Sequence, residues 1–278
     1  MLRRRENIQL KTPDQLRSMR KAGLVVAAGL AAVAEAARPG VSTAELDLIA
    51  RRVLAEAGAV SSFLGYSGPP PFPAVLCSSR NARVVHGIPS PDDVLADGDL
   101  LSLDFGAIVD GWHGDAAVTV AVGEVGFEAR ALSQACRDAL WDGIAAARVG
   151  GRLTDISNAI QTSVRSSGGY GIVAGYGGHG IGTAMHMDPH VPNYGRAGKG
   201  PRLVGGMTLA IEPMITLGSA ETRELADNWT VETIDGSLAA HWEHTVALLP
   251  DGLWVLTAED GGRAELTARG APVSALAD

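Results

Sequence analysis

Cysteine is scarce in this 278-residue chain, with Cys77 and Cys136 the only two. They form no C-x-x-C pair, which argues against a zinc-finger module or a disulfide framework and suits a reducing compartment. Charge is sparse as well, at 19% of residues, and leans acidic with a formal net charge of -8. That balance argues against a general nucleic-acid binder. Long hydrophobic runs are missing too. AGLVVAAGLAAVA at 22–34 comes nearest, but it is shorter than the ~20 residues a bilayer span needs. Charged residues crowd positions 14–21 just before it, so it reads as a buried amphipathic helix rather than a secretory signal or anchor.

What is present is a soluble, globular composition, 46% hydrophobic, with length enough for an ample core. Thr12-Pro13-Asp14 starts a helix that Arg38-Pro39-Gly40 stops. Ser42 with Glu45 makes a capping box for a second helix ending at Gly58. Two further helices are expected over 127–148 and 154–167. Strand-like runs come in pairs: 99–109 with 116–122, and 207–217 with 243–249. Residues 67–73, SGPPPFP, read as a rigid loop, and the stretch after Gly261 as a loose tail.

The two halves carry a faint repeat. Gly40 to Gly58 matches Gly150 to Gly168 without a gap, placing Leu46 with Ile156, Ala50 with Ile160 and Leu54 with Val164. GDLLSLD at 98–104 then sits opposite GMTLAIE at 206–212, so Asp104 corresponds to Glu212. Asp115 and Glu243 are each expected to open the second strand of their pair. A duplicated α+β unit, closed around one central site, produces this pattern.

Asp104 interrupts the apolar run LLSLDF, Glu212 interrupts LAIEPM, and Glu243 sits in WEHTVALL. A carboxylate buried in a strand is costly unless a cation offsets its charge. Each alone reads as a turn cap or an Arg partner; four carboxylates at repeat-related positions, together with His179, read as a metal site. One imidazole and four carboxylates form a harder donor set than structural zinc prefers. Because carboxylates bridge, the five residues Asp104, Asp115, His179, Glu212 and Glu243 suffice for two divalent ions, with Co, Mn, Fe or Zn all chemically acceptable.

His179 lies in 175-GYGGHGIG-182, where Gly175, Gly177 and Gly180 satisfy G-x-G-x-x-G. A dinucleotide loop also needs a helix starting in the motif and an acidic residue ~20 positions later. Pro189 bars the helix and no Asp or Glu lies near position 200. The glycines are therefore expected to allow tight backbone around His179. His86 in NARVVHGIP and His186 in MHMDPH are further functional candidates, whereas His113, His190, His241 and His244 are given no role. Strand alternation turns His244 away from the face of Glu243. Cys77 lacks the context of a nucleophile and is expected to line a pocket.

These segments resemble type I methionine aminopeptidase, the family that removes the initiator methionine from new polypeptides. The resemblance covers about residues 7–257 and rests on IQLKTPDQLRSMRKAG, NARVVHGIP, SLDFGAIVDGWHGDAAVT, GGHGIG followed by MHMDP, LAIEPM, and DNWTVETIDGSLAAHWEHTVAL, in that order and at those spacings. It implies an α+β pita-bread fold, two pseudo-symmetric halves around a central antiparallel sheet with helices outside. It also implies one catalytic domain over 1–278, with short tails at 1–6 and about 262–278.

The resemblance implies further that Asp104, Asp115, His179, Glu212 and Glu243 bind two divalent metals, with Asp115 and Glu243 bridging. His86 and His186 would contact substrate, and Glu212 would shuttle the proton of the attacking water. A metal-activated hydroxide would attack the scissile carbonyl, leaving free methionine when the second residue is small and uncharged. Phe72, Cys77, Met185 and Trp229 would wall the methionine pocket. Pro69 and Met185 stand where relatives often carry aromatics. The expected partners are nascent polypeptide N-termini near the ribosome, without nucleic acid or membrane, for a cytoplasmic monomer. The rivals are a prolidase-like or Xaa-Pro peptidase of the same fold, and a pita-bread binding module that has lost catalysis.

Overall fold

The computed structural model describes residues 7–68 and 70–277. Among the described residues four long helices form close to the expected ranges, the first two at their capping signals. Helix α1 spans Pro13–Ala36, and the Thr12 side chain accepts from the Gln15 backbone N–H in a capping box. Helix α2, Thr43–Glu56, starts at the expected Ser42–Glu45 box. Helices α3, Phe127–Ala146, and α4, Leu153–Ser167, form the second pair. The apolar run at 22–34 lies inside α1, which buries Val26, Leu30 and Val33. Among the described residues no helix is long and apolar enough to cross a membrane.

A nine-stranded antiparallel sheet carries the helices. Its centre runs Leu100–Val109, Trp112–Ala121, Glu243–Leu249, Thr208–Ile211, Gly178–Gly180, Met187–Val191. Helices α1 and α2 cover the first half through Leu46, Leu54, Leu103 and Phe105. Helices α3 and α4 cover the second through Leu140, Ile156, Ile160 and Val246. Each such large apolar side chain stabilises the fold by roughly 1.5–3 kcal/mol.

The repeat is physical. Gly40 and Gly150 hold left-handed φ values of 90° and 93°. The Gly40 N–H donates to Leu95 O at 2.8 Å and the Gly150 N–H to Leu203 O at 2.8 Å. Gly98 and Gly206, φ 92° and 90°, repeat the match and donate to Val122 O and Leu248 O. Two copies of one α+β unit thus meet along the strands Trp112–Ala121 and Glu243–Leu249, the pita-bread arrangement.

Three expectations change. The run 207–217 is two strands, not one: Thr208–Ile211 pairs with Glu243–Leu249, whereas Met214–Thr216 pairs with Ala239–His241 in a separate three-stranded sheet. The break falls at Pro213, which has no N–H to give a ladder. Asp115 does not open its strand. That strand begins at Trp112, and Asp115 lies inside it opposite Gly106. The stretch after Gly261 is not loose: Arg263–Ala268 forms helix α5, Leu266 is fully buried, and Arg269 bridges Asp138, Asp142 and Glu265. The apolar contact and the ion-pair network hold down a segment whose small, polar composition masked it. Pro69 lies outside the described residues.

Candidate metal centre and substrate pocket

Strand register alone gathers the carboxylates. Cys77 pairs with Asp104, Asp104 with Ala117, and Ala117 with Glu243, a straight row across four strands. Cross-strand partners share a face, and so do residues two apart. Asp115, two before Ala117, therefore joins Asp104 and Glu243. On the other side of Glu243–Leu249, Thr245 pairs with Ala210 and Ala210 with His179. The same parity puts His179 on that face and sends Glu212, two past Ala210, toward it. His244 goes the other way, as expected: its ring packs 5.0 Å from Trp141 of α3.

Metal-ligating atoms of Asp115, His179 and Glu243 lie within 4.8 Å of one another, and those of Glu212, His241 and Glu243 form a second such group. His179 Nε2 stands 3.6 Å from Glu212 Oε1, joining the two. Its Nδ1 lies 3.0 Å from Gly180 O. A carbonyl only accepts, so the proton sits on Nδ1 and Nε2 is left free as a ligand. Asp104 lines the same cavity without belonging to either group.

The glycines around His179 serve close approach. A Cβ on Gly178 would stand 2.2 Å from Ala210 O, and one on Gly180 2.1 Å from Asp188 O. Only glycine lets the strand carrying His179 fit between its two neighbours.

Electrostatically the cluster calls for cations. Asp115, His179 and Glu243 are buried. Burial raises the Asp115 carboxyl well above its usual range, helped by Asp104 and Glu212, and does the same to Glu243, helped by Asp115. Asp104 is raised to about 7, chiefly by burial, with Glu212 adding to it. Glu212 differs. Burial pushes it up, but the His241 contact and the nearby His179 and His186 hold it below its ordinary value. Asp104 Oδ1, Asp115 Oδ1 and Glu243 Oε1 are buried without a hydrogen-bond partner among the described residues. Unpaired, crowded carboxylate oxygens beside the imidazoles of His179 and His241 are the donor set of a hard or borderline divalent cation. The residues fit the metal site expected of them.

His86 and His186 flank this cluster in one cavity of about 610 Å³. His86 has φ 59°, a left-handed conformation rare for a residue with a side chain and common at functional sites. Burial lowers its pKa. His186 falls to about 4, first through burial and then through His179, so both rings are neutral near pH 7. Phe72, Cys77 and Met185 form one apolar cluster with Trp229 packed against it, and all four line the cavity. Phe72 and Trp229 meet edge to face at 5.3 Å, and Trp229 Nε1 donates to Pro70 O.

Three residues were missed from the sequence. His241 Nε2 is 3.4 Å from Glu212 Oε2 and 3.9 Å from Glu243 Oε2. The alternation that removes His244 also brings His241, two before Glu243, to the site face, and that signal was available. Phe63 belongs to the apolar cluster and Tyr66 packs against it. They sit in a loop, and no periodicity marked them.

Comparison with known proteins agrees with this geometry. The model of metallopeptidase family M24 matches residues 17–249. Methionine aminopeptidase 1 of Mycobacterium tuberculosis is 55% identical over 261 residues, 92% of this chain and 97% of that protein. The crystal structure of methionine aminopeptidase from Thermotoga maritima superposes with a TM-score of 0.88 at 39% identity, covering 91% of this chain and all of that one. An Xaa-Pro dipeptidase from Bacillus anthracis shares the fold, with a TM-score of 0.71 at 23% identity, over 89% of this chain but 61% of its own.

Proposed function

The chain belongs to metallopeptidase family M24, and from that premise we propose that it removes N-terminal methionine from nascent polypeptides whose second residue is small and uncharged. The observation that carries this reading is the adjacency, in one cavity, of an acidic cluster fit for metal and an apolar pocket fit for a methionine side chain. The 55% identity to a methionine aminopeptidase supports it over a prolidase-like activity, for which the likeness is one of fold alone.

Asp104, Asp115, His179, Glu212 and Glu243 would hold two divalent ions. Ions so held acidify a water and polarise a peptide carbonyl. The remaining work falls to the chain. Phe72, Cys77, Met185 and Trp229, with Phe63 and Tyr66, seat the methionine side chain and exclude water. Glu212, ionised at neutral pH, takes the proton of the attacking water and passes it on. Neutral His186 donates to the oxygen that gains charge in the transition state. His86 contacts the scissile amide nitrogen and helps it leave as an amine. Free methionine and a chain shorter by one residue result.

The chain acts as a single catalytic domain and a monomer, in the cytoplasm, on chains near the ribosome. Its specificity is tested by offering Met-Ala-Ser, Met-Lys-Ser and Gly-Pro-Ala in parallel. Methionine release from the first alone is expected; cleavage of Gly-Pro-Ala in its place would transfer the chain to the Xaa-Pro peptidases.

A further inference from the structure

Tyr66 reaches across the pocket to the histidine on its far side. Its hydroxyl lies 2.5 Å from His186 Nδ1, with the two rings at 80° and their centroids 5.2 Å apart. A neutral imidazole carries one N–H and one acceptor nitrogen, so this contact has only two forms. Either the phenol donates and Nδ1 accepts, or Nδ1 donates and the phenol oxygen accepts. Phenol is the better donor of the pair because ring conjugation weakens its lone pairs, whereas the imine-type nitrogen of imidazole is a strong acceptor. The contact is also short, which suits O–H···N more than N–H···O.

We propose that Tyr66 is a positioning residue that fixes His186 in the tautomer with its proton on Nε2. A phenol keeps its proton near neutral pH, so the hydrogen bond can run from the Tyr66 oxygen to Nδ1. The consequence rests on the function proposed above for His186. With the proton on Nε2, the ring nitrogen left free by Tyr66 is a donor and can stabilise a developing oxyanion. With the proton on Nδ1, Nε2 would offer a lone pair to that negative oxygen and repel it. Tyr66 thus stands to His186 as an orienting partner stands to a catalytic base, holding one ring nitrogen so that the other is in the working form.

The test uses the full-length, zinc-loaded protein labelled with 15N-histidine, with the His186 signals assigned through His186→Gln. Long-range proton–nitrogen correlation is expected to show Nδ1 unprotonated and Nε2 protonated in the wild type, and a mixture of tautomers in Tyr66→Phe. Phenylalanine keeps the ring that packs in the pocket. With Met-Ala-Ser, Tyr66→Phe is expected to lower kcat about tenfold or more, a fraction of the loss from deleting an oxyanion donor, with KM and bound metal near wild type. A proton on Nδ1 in the wild type overturns the proposal, and so does a Tyr66→Phe variant with unchanged kcat and an unmixed Nε2–H tautomer. Should the wild type release no methionine, the proposed function fails, while the nitrogen signals still decide the tautomer.

Discussion

Asp115 and Glu243 stand on the two strands that join the halves of the sheet, with carboxylate oxygens within 4.8 Å of each other and both buried. Two like charges at that distance oppose folding unless a proton or a cation lies between them.

The sign of that opposition makes the stability of the metal-free protein depend on pH. Asp104, Asp115 and Glu243 all have folded pKa values above their unfolded ones. In metal-stripped protein their contribution to stability is full below about pH 4, the unfolded value. It is lost as pH rises through the folded values, which for Asp104 is about 7. The melting temperature of stripped protein should therefore fall across that window relative to metal-loaded protein, so the gap between the two widens with pH. A gap independent of pH contradicts this electrostatic account.

Substitution of a ligand separates charge from shape. Asp104→Asn, His179→Ala and Glu243→Gln should each abolish turnover with the circular dichroism spectrum largely kept. Glu243→Gln should also melt higher than wild type when both are stripped, because one of two crowded carboxylates is gone. Full activity in any of the three removes that residue from the metal centre.

His86 and His241 lie on opposite sides of the distinction between substrate contact and metal environment. His86→Ala should cut kcat by roughly 10²–10⁴ with metal content near wild type. His241→Ala should weaken metal retention about 10- to 100-fold, as expected for a residue that orients ligands, since its ring touches Glu212 and Glu243. Loss of metal from the His86 variant would make His86 a ligand instead.

Gly180→Ala tests the reason for the glycine-rich stretch. The new methyl would meet Asp188 O at 2.1 Å, so the strand bearing His179 must shift. Stability should drop by about 1–3 kcal/mol and metal affinity with it. A variant as stable and as active as wild type would show that the close approach is dispensable.

Much of this was legible beforehand because it rests on local rules. Thr12 and Ser42 announce their helices through capping, and the carboxylates of Asp104, Glu212 and Glu243 stand out against apolar strands. The repeat from Gly40 and Gly150 exposed the two-half architecture because left-handed glycines mark equivalent turns. What escaped depends on partners distant in the chain. Pro213 ends one strand and sends its continuation to another sheet, which only the register reveals. Leu266 is buried by residues far from it in sequence, so helix α5 carried no local sign. Tyr66 acquires its place only through His186, 120 positions further along the chain.

The central claim is that one cluster on one sheet face holds the metal that drives methionine removal. Its most direct test is the rate of methionine release from Met-Ala-Ser as Mn²⁺ is titrated into stripped, folded protein. The account predicts no release without metal and a rise to saturation by two equivalents per chain. Undiminished release from the stripped protein, or none at any metal concentration with Mn, Co, Fe or Zn, would contradict it.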